Sequence, residues 1–308
     1  MTKIAIIGFG NHIIKNILPA IDRLNFLEID AIYVRDKSKY LSKSKKYNFE
    51  LKNIEDSLDK DVKWVYIATP ISTHFMLTKR YLKLQKNVIC EKPLTNTPSQ
   101  TIELFEIAKT NDLILCEVSM YKYHKQYKHL EQFINKHKKH IKVVKTSFTI
   151  PHLDTTDIRY KKELCGGALL DVGYYPISVI LSLFGEPKDI KFNVFGEEGY
   201  SVDLFGTAIL EYKNFYCIAE WGIGLPYTNE ICIINVDESI KYERIFSKPE
   251  TLDTKAILTK GYNIEDISLG SDDHFVNMFD NIINKLEACD KSTTIQISKI
   301  LNKIGNKS

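Results

Sequence analysis

A chain of 308 residues, 44% hydrophobic and 26% charged, is long enough for about two domains and has the composition of a globular protein. This excludes a disordered chain, a collagen-like fibre and a coiled-coil rod. Lys and Arg number 42 against 39 Asp and Glu, and a formal net charge of +3 gives no electrostatic reason to expect a nucleic acid or a membrane surface as partner.

No run of about 18 apolar residues marks a membrane span, and the N-terminus lacks a signal-peptide cleavage site. Six cysteines without paired spacing suit a reducing, cytoplasmic setting better than a disulfide framework. Lys3–Ile7 reads as a short buried strand, and apolar residues 13, 14, 17, 18 and 21 then recur at helical spacing. Strands follow at Glu28–Val34, Val62–Ala68, Asn87–Glu91 and Leu113–Val118, with helices predicted over Thr73–Leu84 and Pro98–Thr110. Strand and helix alternating in this way predict βαβ units and a parallel sheet. After residue 140 the pattern changes. Ile141–Ile150 is strand-like, Glu163–Phe184 reads as one helix, and five β-rich runs between Lys188 and Leu258 predict antiparallel strands. Helices are expected over Asp272–Cys289 and Gln296–Ile304. The predicted fold is α/β, with an N-terminal parallel sheet over 1–120 and an α+β domain with a mostly antiparallel open sheet over 121–308.

The turn after the first strand reads Gly8-Phe9-Gly10-Asn11-His12-Ile13. Two glycines permit a tight turn and close approach of a pyrophosphate, and a helix N-terminus beyond them offers N–H groups and a favourable dipole. Ile13 stands where the fingerprint has a third glycine, so the helix must pack differently there. At the end of the second strand Arg35 could take an NADP phosphate, whereas Asp36 could accept from NAD ribose hydroxyls. The position leaves both cofactors open, with a slight lean to NADP.

Ligands of an open α/β sheet bind beyond the carboxyl ends of its strands. Ala68-Thr69-Pro70, with His74 just beyond, ends one strand, and Cys90-Glu91-Lys92-Pro93 ends the next. A lysine there can polarise a carbonyl or stabilise a neighbouring phenolate, although strand-end lysines are commonly only solvated. Residues 166–177 read Gly-Gly-Ala-Leu-Leu-Asp-Val-Gly-Tyr-Tyr-Pro-Ile, which on a helix puts Asp171 and Tyr175 on one face. A phenol, with an ordinary pKa of about 10, can serve as a proton donor beside an ammonium. The plain alternative is a capping Asp and a core Tyr.

These segments, IAIIGFGNH, ATPISTH, ICEKPLT and GGALLDVGYYPI with MYKYHKQ in support, resemble the glucose–fructose oxidoreductase / inositol dehydrogenase / rhizopine-catabolism family of NAD(P)-dependent oxidoreductases. The resemblance implies a Rossmann domain, a C-terminal open sheet whose exposed face forms a homodimer, and a cis Lys92–Pro93 bond; in the domain division above, the last helices can pack back on the first domain. It also implies catalytic roles for Lys92, Asp171 and Tyr175. The cofactor is then NADP or NAD, held by Gly8, Phe9, Gly10, Asn11, His12, Arg35, Asp36, Thr69, Pro70, His74, Glu91 and Lys92. Tyrosine at 175, where many members have histidine, is similar to the dihydrodiol dehydrogenase and sugar-nucleotide 3-ketoreductase branches. The implied reaction moves a hydride between nicotinamide and a hydroxyl or keto carbon of a sugar-type substrate. A dinucleotide-binding regulator without turnover is the alternative, against which Lys92, Asp171 and Tyr175 together argue. Cys165 departs from the family, standing where a third consecutive glycine is common. Arg159 is a further candidate for the pocket; Lys161 and Lys162 read as solvated surface, and no metal site is expected, His137 and His140 included.

Overall fold

The computed structural model describes residues 1–47, 49–284 and 289–306 and divides into two compact units. The first joins Met1–Val118 to Phe275–Thr294, and the second joins Ser119–His274 to Ile295–Ser308. The first unit is a parallel sheet of β1 (Thr2–Ile7), β2 (Leu27–Val34), β3 (Leu51–Asn53), β4 (Val62–Ile67), β5 (Asn87–Cys90) and β6 (Leu115–Glu117). The spatial order is β3-β2-β1-β4-β5-β6. Ile4 to Ile7 have no exposed surface, because helices cover both faces of a parallel sheet, and this is why β1 reads as an unbroken apolar run. The connecting helices are α1 (Leu18–Asp22), α2 (Leu41–Tyr47), α3 (Ile71–Lys83) and α4 (Pro98–Thr110). Thr97 starts α4 by accepting from the Gln100 N–H, and Pro98 fills the first position, where no N–H is needed. The chain travels outward from β1 to β3, then returns to place β4 on the other side of β1. This reversal opens a crevice at the carboxyl ends of β1 and β4.

The second unit holds α5 (Lys125–His137), α6 (Tyr174–Phe184) and an eight-stranded sheet. Its strands are β7 (Ile141–Ile150), β8 (Asp189–Phe195), β9 (Phe205–Glu211), β10 (Tyr216–Ile223), β11 (Thr228–Asn235), β12 (Glu238–Glu243), β13 (Thr254–Lys260) and β14 (Asn263–Gly270). The order is β14-β13-β12-β11-β7-β10-β9-β8, antiparallel except where β10 runs parallel to β7. Side chains alternate across it. Gly206, Ala208 and Leu210 of β9 are buried, whereas Ile209 between them is exposed, as is Tyr216 of β10. α7 (His274–Ile283) and α8 (Lys291–Gly305) complete the chain. Part of the helix predicted over Asp272–Cys289 lies outside the described residues.

The single helix predicted over Glu163–Phe184 is broken instead. A short turn at Lys162–Leu164 ends at Cys165 in the left-handed region, a π-helical turn runs from Leu169 to Gly173, and α6 follows. By length and composition the stretch Lys162–Phe184 could cross a bilayer, but 72% of its apolar window is buried inside the protein, as in a core helix. β3, α2, α5, β13 and β14 were not predicted. β14 is exposed at most positions and carries no apolar pattern, whereas α5 does carry one, Tyr127, Leu130 and Ile134 at helical spacing among its lysines and histidines. The six cysteines are not all apart either. Cys116 and Cys289, 173 residues apart in sequence, are bonded with Cα atoms 5.4 Å apart. The fold brings such residues together without leaving a spacing signature.

Candidate active site

The glycine turn is shaped by what surrounds it. Gly8 has φ +102°, and a Cβ there would lie 2.5 Å from the Ala68 carbonyl oxygen, so only glycine lets the turn rest on the end of β4. A Cβ on Gly10 would meet no protein atom within 4 Å. The bare backbone at Gly10 therefore fits a ligand group, such as a pyrophosphate, that must come close to the main chain. Phe9 is buried, 5.9 Å from the Tyr40 ring, and so belongs to the core of the turn. Asn11 is exposed and accepts from Lys43 Nζ at 3.5 Å. Ile13 is fully buried, and the helix there winds as a π turn over Ile13–Ile17.

At the end of β2 the two ribose-reading candidates differ. Arg35 is exposed. Asp36 Oδ1 accepts the Ser38 N–H at 3.0 Å and the Ser38 hydroxyl at 2.5 Å, capping the turn Lys37–Tyr40. These Ser38 bonds, with help from Lys39, hold the carboxyl below the usual range.

The two strand-end loops are bound to each other. His74 is 1% exposed, and its ring nitrogens lie 2.9 Å from the Thr69 and Pro93 carbonyl oxygens. Burial lowers its pKa. The ring is thus spent on the main chain, and any effect on a cofactor passes through the loops it joins. Thr69 and Thr73 share a hydroxyl hydrogen bond of 2.7 Å next to Pro70, which precedes α3. Glu91 Oε1 lies 2.8 Å from His12 Nε2 and accepts the Tyr66 hydroxyl at 2.5 Å, while Oε2 lies 3.3 Å from the Lys92 N–H. Burial alone would raise the Glu91 pKa, but His12, Tyr66 and Lys92 together hold it down to about 2. The Lys92–Pro93 bond is cis, and Leu94 N–H donates to Glu117 at 2.7 Å. The backbone on both sides of Lys92 is therefore fixed by the half-buried side chains of Glu91 and Glu117.

In the second unit the broken helix carries Asp171 and Tyr175. Its start is capped from a distant loop: the Leu169 N–H donates to Asp203 Oδ2 at 2.6 Å, and the Ala168 N–H to the Asp203 carbonyl at 2.9 Å. Burial raises the pKa of Asp203. A Cβ on Gly167, where φ is +114°, would collide with this carboxylate, and one on Gly173 would lie 2.9 Å from the Trp221 ring. The motif glycines thus let the helix sit on Asp203 and on β10. Asp171 Oδ2 accepts from Arg159 Nε at 2.5 Å, and Arg159 also pairs with Asp157 at 3.1 Å. Asp171 first, then Asp157, hold the guanidinium more firmly protonated despite burial. Tyr175 is 8% exposed within rings of Phe148, Tyr121, Tyr174 and Phe246 at 5.1–6.1 Å. Its hydroxyl lies 3.9 Å from Met120 Sδ. The π turn between Asp171 and Tyr175 alters the angular spacing expected of an α-helix. Arg159 enters the site through Asp171, a contact its position in the sequence did not specify. Tyr66, Glu117 and Asp203 were missed, since each acts from a distant element with no local motif.

Comparison with known proteins matches this architecture. An oxidoreductase family model for an NAD-binding Rossmann fold, GFO/IDH/MocA, matches residues 2–120, and the family's C-terminal domain model matches residues 140–237. A dTDP-3,4-didehydro-2,6-dideoxy-alpha-D-glucose 3-reductase of Streptomyces violaceoruber is 28% identical over 253 residues, covering 80% of this chain and 74% of its own. The same reductase from Actinomadura kijaniata is 27% identical, covering 89% and 84%. The crystal structure of KijD10, a 3-ketoreductase from that organism in complex with NADP and TDP-benzene, superposes with a TM-score of 0.89 at 24% identity, over 98% of this chain and 96% of that one. Tyrosine-to-phenylalanine and lysine variants of KijD10 have also been solved with the same ligands. Two domain models in chain order, with the glycine turn and the Glu-Lys-Pro loop placed as described, establish that this chain belongs to the GFO/IDH/MocA family of NAD(P)-dependent oxidoreductases.

Proposed function

We propose that the protein is an NADP-preferring reductase of a keto carbon, or dehydrogenase of the matching hydroxyl, on a nucleotide-linked sugar. The single observation that carries this reading is the retention of Lys92, Asp171 and Tyr175 on scaffolds that fix each one, together with the 3-reductases among the relatives. A pure dinucleotide sensor has no use for these three side chains. NADP is favoured at the end of β2 because one Asp36 oxygen is occupied by Ser38, while Arg35 is exposed beside Lys37 and Lys39.

Bound nicotinamide supplies or accepts the hydride. Tyr175 gives a proton to the carbonyl oxygen in reduction and takes it back in oxidation. Lys92 holds that oxygen and stabilises charge developing on it. Asp171, oriented by its ion pair with Arg159, accepts from a neighbouring substrate hydroxyl. In this reading two chains associate through the open face of the eight-stranded sheet.

The test is a fluorescence titration with NADPH and NADH, followed by turnover assays on dTDP-keto-sugars. Tyr175→Phe should lower kcat by about 10²–10⁴, the usual contribution of a positioned acid, with NADPH affinity unchanged. Near-normal turnover by that variant removes Tyr175 as the acid. Tight cofactor binding by a folded protein that turns over no keto-sugar favours the sensor.

A further inference from the structure

The glycine turn and the Lys92 loop meet at a half-buried carboxylate. His12 is two residues beyond Gly10, and its Nε2 lies 2.8 Å from Glu91 Oε1. Nδ1 lies 2.9 Å from Asn16 Nδ2, and an amide donating there leaves the ring proton on Nε2, directed at Glu91. The same Glu91 oxygen takes the Tyr66 hydroxyl, and the other faces the Lys92 N–H. Phe275 stands edge-on to His12 at 5.5 Å, and Phe279 lies 5.6 Å from Tyr66, so apolar rings flank the polar chain. Every member of this chain lies in the first unit.

We propose that His12 is a positioning residue that latches the phosphate-binding turn to Glu91, so that Glu91, with no need to touch the cofactor, sets how tightly the cofactor is held. Gly10 lacks a side chain and has no protein atom near its Cβ position, so the turn has little packing of its own on that side. The His12–Glu91 bond supplies the missing anchor, and it does so from the residue that precedes Lys92. Order in the turn and order in the lysine loop are then one property. The inference rests on the reading of this unit as a dinucleotide site.

The experiment is a double-mutant cycle on NADPH affinity, read by cofactor fluorescence and paired with thermal melting. His12→Ala and Glu91→Gln should each weaken NADPH by about 10-fold, as for one charge-assisted hydrogen bond, and the double variant should bind no worse than the weaker single. Exogenous imidazole should restore His12→Ala but not the double variant. His12→Gln, whose amide can reach Glu91, should bind nearly as the parent does and covers the case in which the alanine variant does not fold. Single variants without effect, losses that multiply to about 100-fold, or equal imidazole rescue in both backgrounds would overturn the latch. Parent protein that binds no NADPH overturns the dinucleotide reading itself, whereas a binding parent with unaffected variants overturns only the latch.

Discussion

Cys165 shows how one residue departs from a pattern at a cost that can be measured. It has φ 58° and ψ 43°, the left-handed conformation that glycine adopts freely. A side chain in that conformation costs about 1–2 kcal/mol. The larger freedom of glycine in the unfolded chain offsets about 0.5–1 kcal/mol of this. Cys165→Gly should therefore stabilise the protein by up to about 1.5 kcal/mol, read as a higher midpoint in guanidinium unfolding. A lower midpoint would mean that contacts of the thiol outweigh the backbone strain.

At the scale of elements, the loop after β5 is where fold and chemistry depend on the same groups. Its carboxylate, Glu91, is held down to about 2 in the folded chain, against about 4.3 for an ordinary glutamate. A depressed carboxyl contributes stability that is present above its unfolded pKa and is lost as pH falls through the folded one. The contribution should disappear between about pH 4.5 and pH 2. Acid unfolding followed by circular dichroism should show this limb in the parent and a shallower one in Glu91→Gln. Equal slopes would place the acid sensitivity in other carboxylates. The broken helix that carries Asp171 and Tyr175 depends on packing instead: a Cβ at Gly173 would meet Trp221, so the helix and β10 hold each other in place.

For the whole molecule, the question is what covers the second sheet. Along β9 and β10 one set of alternate residues is buried, and the other leaves Ile209 and Tyr216 exposed, with Phe195 exposed on β8. Three large apolar residues on neighbouring strands are a cost to a monomer in water. In the proposed homodimer this face is buried, so light scattering should give twice 35.6 kDa. Ile209→Lys with Tyr216→Lys should give the monomer mass with cofactor binding kept. A parent already monomeric at micromolar concentration would remove this face as an interface.

Sequence alone determined the architecture, a parallel sheet followed by a mostly antiparallel one. β1 and β4 are buried on both faces, so their apolar runs are unambiguous, and the Gly8 turn and the Glu-Lys-Pro loop lie at strand ends where their chemistry is local. The change of pattern near residue 140 marked the second, mostly antiparallel sheet. Only the tertiary structure decided the partners. Asp203 caps a helix more than 30 residues before it, Arg159 reaches Asp171 around a left-handed turn, and His12 meets Glu91 across the sheet. It also replaced the single predicted helix with two turns and α6, and joined Cys116 to Cys289. The physical reason is common to all of these. Periodicity and turn chemistry act between near neighbours in the chain, whereas buried polar groups are satisfied by whatever the fold brings within hydrogen-bond reach.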